Sequence, residues 1–98
     1  MPPLRPLITL LTDFGDSDWF VAGMKGAILS IHQDARIVDL SHQIAPHRID
    51  EASYFLKSCY RDFPEGTIHV VVVDPGVGSA RRAIAVKSRR YFFLAPDN

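Results

Sequence analysis

Short apolar runs recur along the chain, and each is followed by residues that turn the backbone. Leu7 to Asp13 is rich in Ile, Leu and Thr and predicts a first strand. Ala35 to Leu40 predicts a second strand and Thr67 to Val73 a third, whose polar residues are too few for a half-exposed strand, which implies cover on both faces. Between the first two, Phe20, Met24, Ile28 and Ile31 recur at helical spacing, widened by Val21 and Ala27. This predicts a helix from Trp19 to Ile31, preceded by the turn and cap residues Gly15-Asp16-Ser17-Asp18. Gly23 and Gly26 weaken that helix by about 1 kcal/mol each relative to Ala, a cost often accepted for close packing on a sheet. After a loop from Ser41 to Arg48, Ala52, Phe55, Leu56, Cys59 and Tyr60 form the apolar face of a second helix, with Asp50 as its N-cap. Pro64-Glu65-Gly66 ends it. Ala83 to Val86 and Tyr91 to Leu94 flank the basic turn Lys87-Ser88-Arg89-Arg90 and predict a hairpin.

The order β-α-β-α-β implies right-handed crossovers and an α/β fold: a mostly parallel, Rossmann-like three-layer sheet with helices on its faces. In such sheets ligands bind beyond the carboxyl ends of the strands. Two predicted strands end there on a carboxylate and then turn through glycine: Thr12-Asp13-Phe14-Gly15 and Val73-Asp74-Pro75-Gly76. The pattern predicts one cleft with two acidic contacts. Asp13 can accept hydrogen bonds from a ribose diol; the alternative is a cap or loop carboxylate. The first turn lacks G-x-G-x-x-G, so it is not the usual dinucleotide fingerprint.

The other candidates carry weaker signals. Asp16 and Asp18 stand at the start of the first helix, where capping is the default role. Gly76-Val77-Gly78-Ser79 can form a nest of backbone N–H groups for an anion, but it lacks the Lys-Ser/Thr of a P-loop. Asp74 and Arg81 can meet across that turn as an ion pair or hold a water. His32 sits at a helix end, His69 within a strand, and His42 and His47 flank a loop where polar side chains are usually exposed. None has metal-ligand spacing, and there is no Ser-His-Asp arrangement and no catalytic cysteine. Trp19 reads as a packing residue.

Composition narrows the classes. With 98 residues the chain is one domain or part of one, and 47% hydrophobic content argues against disorder. Eleven basic and eleven acidic side chains balance, so no global field favours nucleic acid or an anionic membrane. Cys59 is the single cysteine, which excludes an internal disulfide and fits a cytoplasmic location. No apolar run approaches the roughly 20 residues of a membrane span. The prolines of Met1-Pro2-Pro3-Leu4-Arg5-Pro6 argue against a signal peptide. The turn signal Pro96-Asp97-Asn98 after an apolar strand predicts a further element, so the domain reads as truncated.

Taken together, the blocks Leu11-Thr12-Asp13-Phe14-Gly15, Val21-Ala22-Gly23-Met24-Lys25-Gly26, Ile37-Val38-Asp39-Leu40-Ser41-His42, Phe63-Pro64-Glu65-Gly66-Thr67, Val73-Asp74-Pro75-Gly76-Val77-Gly78, Arg81-Arg82 and Ala95-Pro96-Asp97-Asn98 carry a resemblance. In that order they resemble the S-adenosylmethionine hydroxide adenosyltransferase family, hydrolases related to fluorinase and chlorinase. The resemblance covers nearly the whole chain from Leu7. It implies that residues 1–98 are the N-terminal part of an N-terminal α/β domain, and that the rest of that domain and a C-terminal β-barrel-like domain are absent. It also implies trimers with active sites between subunits, S-adenosylmethionine as substrate, and no cofactor.

The family's water-placing Asp and Arg match Asp74 and Arg81; the third member, a His, would lie beyond Asn98. The ribose-binding Asp matches Asp13, and a second acidic position near the ligand matches Asp18. His47 stands where the halogenating relatives carry a stacking Trp and is counted with the substrate-binding residues. Those relatives lack the acidic residue at Asp74, so hydroxide rather than halide is the expected nucleophile. The implied reaction is attack of water on ribose C5′, with methionine leaving and adenosine formed. The 98 residues alone are expected to be inactive. The alternatives are a nucleoside-binding module without catalysis and a structural, self-associating fragment.

Overall fold

The computed structural model describes residues 5–73 and 83–96. Five strands form one sheet: β1 (Leu7–Thr12), β2 (Arg36–Ser41), β3 (Ile68–Val72), β4 (Ala83–Lys87) and β5 (Phe92–Pro96). Two helices, α1 (Phe20–Ile31) and α2 (Ile49–Cys59), connect the first three, and a 3₁₀ turn over Tyr60–Asp62 follows α2. The strand order is β2-β1-β3-β5-β4. All neighbours are parallel except the β4–β5 hairpin. The expected mostly parallel α/β sheet is therefore the fold.

The order reverses direction at β1. The chain leaves β1 for β2 on one side, then crosses back to β3 on the other. With right-handed crossovers this puts α1 and α2 on opposite faces. Contacts agree. Leu10 lies opposite Asp39, and Asp39 binds Lys25 of α1. Leu11 points the other way and joins Ile44, Val73 and Ala52 of α2 in the core, with Leu40, Phe55, Leu56 and Val71 packed around them. Shortening Leu11, fully buried, to Ala would cost about 2–5 kcal/mol. The strand-order reversal leaves the carboxyl ends of β1 and β3 side by side, the usual place for a ligand crevice.

Several local expectations need correction. Asp50 is not the N-cap of α2; Arg48 is, without a side-chain cap bond. Asp50 and Glu51 sit in the first turn and Lys57 in the last, which suits the helix dipole. The Arg48 guanidinium grips Asp50 at 3.0 and 2.9 Å and holds its carboxyl down to about 2. The α-helix also ends before Pro64, at Cys59. In α1 the half-buried face is Val21, Met24, Lys25 and Ile28, whereas Ile31 is 88% exposed. On this face Lys25 reaches Asp39 at 2.7 Å. Neither glycine of α1 meets the sheet: a Cβ at Gly26 would touch nothing, and one at Gly23 would meet the Trp19 ring at ordinary distance. Trp19 itself is largely exposed and tilts against Phe20 with ring centroids 4.7 Å apart.

Candidate functional site at the carboxyl end of β1

β1 is buried along almost its whole length and delivers Asp13 at its carboxyl end, where the side chain is half-buried. Thr12 lies in register with Val72 of β3, so the two strands end together. Gly15 turns the chain with φ +72°, a left-handed conformation that costs glycine little. Its N–H donates to the His42 carbonyl at 2.7 Å.

The loop after β2 is stitched onto this turn at four places. Besides Gly15, Ile44 N–H reaches the Thr12 carbonyl at 3.4 Å. The Gln43 amide donates to Asp16 at 2.5 Å. The His47 backbone N–H donates to the Asp13 carboxylate at 2.8 Å. His47 adopts φ +63° there, the one non-glycine residue with positive φ among the described residues. Such strain persists where surrounding bonds over-determine it, and it concentrates at functional sites. Oδ2 of Asp13 is engaged by the His47 N–H, and among the described residues Oδ1 has no donor, so it can accept from a diol.

Asp13 and His47 are thus brought together, through His47's backbone. Asp18 is exposed and accepts from Phe20 N–H at 3.1 Å, a capping contact at the head of α1. Asp74 and Arg81, with the Gly76–Ser79 turn, lie outside the described residues. In sequence Asp74 follows Val73.

Sequence reasoning missed His42. It is 5% exposed, not a solvated loop residue. Its Nδ1 lies 2.7 Å from Thr12 Oγ1 and its Nε2 2.7 Å from Asp39 Oδ1. Asp39 also accepts from Lys25 Nζ at 2.7 Å. Burial alone would raise the Asp39 carboxyl; the bonds from Lys25 and His42 outweigh this and hold it below its ordinary value. A charged residue inside the apolar block Ile37-Val38-Asp39-Leu40 was the signal that could have revealed a partner.

His69, also expected only as a strand residue, is fully buried toward the opposite end of β3. It pairs with Thr9 Oγ1 at 2.6 Å and stacks on Phe93. That aromatic nest, with Tyr60, Phe63 and Tyr91, is a packing site. Among the described residues no group of three or more His, Cys, Asp or Glu is arranged to hold a metal ion, and no helix is long and apolar enough to cross a membrane.

Comparison with known proteins adds to this geometry. The family model described as SAM hydroxide adenosyltransferase N-terminal domain matches residues 8–98. An (R)-S-adenosyl-L-methionine hydrolase of Methanocaldococcus jannaschii is 42% identical over 97 residues, covering 94% of this chain and 36% of that protein. A fluorinase of Actinopolyspora mzabensis is 36% identical over 83 residues, covering 85% of this chain and 28% of its own length. The crystal structure of an uncharacterized conserved protein from Thermotoga maritima superposes with a TM-score of 0.87 at 40% identity, over 93% of this chain and 35% of that one. The chain therefore spans only about a third of the length of these relatives.

Proposed function

The chain belongs to the SAM hydroxide adenosyltransferase family, whose N-terminal domain residues 8–98 match, and from that membership we propose that the whole protein hydrolyses S-adenosylmethionine to adenosine and L-methionine. Residues 1–98 are then the first part of its N-terminal α/β domain. The observation that carries the reading is the Asp13 carboxylate, tethered by the His47 N–H at the end of β1, beside the end of β3. Relatives named as hydrolases support the substrate.

In this mechanism Asp13 holds the ribose hydroxyls, with Asp18 and His47 on the ligand side. A water oxygen attacks C5′, the C5′–sulfur bond breaks, and its electron pair returns to sulfur, giving neutral methionine. The water becomes the 5′-hydroxyl of adenosine and releases one proton. The sulfonium needs no acid to leave; the difficulty is a nucleophile at neutral pH. Arg81 stays protonated, so it acts by stabilising hydroxide, not as a base. Asp74 orients Arg81 and the water. Alignment of the nucleophile with C5′ and sulfur supplies part of the roughly 7–11 kcal/mol available from proximity. Fluorinases are also among the relatives, but the carboxylate of Asp74 disfavours a halide beside it. On the family's pattern the protein is a homo-oligomer, a trimer with sites between subunits. Within residues 1–98 the single cysteine, Cys59, suits the cytoplasm.

Chromatography of the whole protein's products tests this. Equal adenosine and methionine are expected, with no halogenated nucleoside when chloride or fluoride is added. Asp74→Ala should lose turnover and keep adenosine binding. Binding without turnover in the unaltered protein would leave a nucleoside-binding module instead.

A further inference from the structure

We propose that His42 is a positioning residue for the ribose-holding carboxylate of Asp13, acting through Thr12; this rests on the reading that Asp13 holds the ribose. The two side chains are thirty residues apart in sequence and both buried. A local irregularity brings them together. Leu10 pairs with Asp39 but Leu11 pairs with Ser41, so β2 skips a residue at Leu40. Bulges of this kind commonly re-aim a side chain beside a functional site. Here the skip sets His42 alongside Thr12.

The hydrogen bonds match donor to acceptor along one chain. Asp39, ionised, can only accept, so His42 Nε2 carries the proton that meets it. Lys25 supplies the second donor to that carboxylate. At the other ring nitrogen, Thr12 Oγ1 already accepts from Phe14 N–H at 3.1 Å. With the ring proton on Nε2, Nδ1 is left as the acceptor, and the Thr12 hydroxyl donates to it at 2.7 Å. Thr12 and Phe14 are the residues on either side of Asp13. The relay fixes both, and the His42 carbonyl fixes Gly15 besides. His42 touches no expected ligand atom; what it sets is where the Asp13 carboxylate stands.

Four variants of the whole protein test the assignment: Thr12→Val, Thr12→Ser, His42→Phe and Asp13→Ala. The readouts are adenosine affinity by calorimetry, KM and kcat for S-adenosylmethionine, and the thermal midpoint. Thr12→Val removes the hydroxyl at constant shape, and Thr12→Ser keeps it. Thr12→Val and His42→Phe are expected to weaken adenosine binding and raise KM at least about tenfold, with kcat within about threefold. Thr12→Ser is expected to restore both to near the original values. If Thr12→Val binds adenosine normally while Asp13→Ala does not, the role given to His42 is wrong and the ribose reading stands. If Thr12→Ser fails as badly as Thr12→Val, the hydroxyl is not the link and the proposal falls. If Asp13→Ala binds adenosine as tightly as the unaltered protein, the ribose reading fails and the proposal falls with it.

Discussion

The backbone N–H of His47 donates to the Asp13 carboxylate at 2.8 Å, and His47 accepts a left-handed backbone, φ +63°, in making that contact. The bond comes from the main chain, so its loss depends on the backbone and not on the imidazole. Glycine adopts this φ without strain, which costs other residues about 1–2 kcal/mol. His47→Gly should therefore leave the urea midpoint of the whole protein nearly unchanged. Proline fixes φ near −65° and has no N–H. His47→Pro should lower the midpoint clearly, by the equivalent of about 2 kcal/mol or more, and weaken adenosine binding. Equal midpoints for the two variants would mean that the contact does not hold the turn.

His69 gives the fold a pH dependence of known sign. Burial pushes its pKa down, and the Tyr60 backbone works the other way without making a full hydrogen bond. The unfolded chain takes up this proton near an ordinary histidine pKa of about 6.5, before the folded chain does. Stability is thus fully present above that pH and is lost as pH falls from there through the lower folded value. The double variant Thr9→Val with His69→Phe replaces the hydrogen-bonded pair by apolar groups of similar shape, a change that can be nearly neutral. Urea midpoints at about pH 7.5 and about pH 5 should differ less in the double variant than in the unaltered protein. An unchanged difference would remove His69 from the account.

The β4–β5 hairpin leaves apolar side chains open on both faces. Ile84 and Val86 are 40% and 51% exposed on one side, Phe92 and Leu94 40% and 38% on the other. β4 is also the sheet edge. Light scattering on the 98-residue chain should show mass rising with concentration, because such edges and patches pair. Val86→Lys should move that rise to higher concentration. A monomer at every concentration would count against an exposed association surface.

Much of this fold was legible in the chain. The runs that became β1 and β3 carry little but apolar and β-branched residues, as central parallel strands need, while β2 at the sheet edge keeps Arg36 and Asp39. Asp13 could be picked out because ligands of such sheets bind beyond the carboxyl ends of the strands, where this carboxylate falls. The face of α1 was misjudged because the spacing of Phe20, Met24, Ile28 and Ile31 and that of Val21, Met24, Lys25 and Ile28 share two residues. The second face is the one on which Lys25 meets Asp39, a long-range pairing that the local spacing does not reveal. His42 was missed for a similar reason. Its burial depends on a skipped residue in β2 and a partner on β1; Asp39 nearby signals that a partner exists but not which residue it is. Asp74 and Arg81 rest on the family resemblance and lie outside the described residues.

The central claim is that a water oxygen becomes the 5′-oxygen of adenosine. The whole protein should be given S-adenosylmethionine in water enriched in heavy oxygen, and both products weighed by mass spectrometry. The label is expected in adenosine, at the 5′-hydroxyl, and absent from methionine. Unlabelled adenosine, label in methionine, or no adenosine at all would contradict attack of water at C5′.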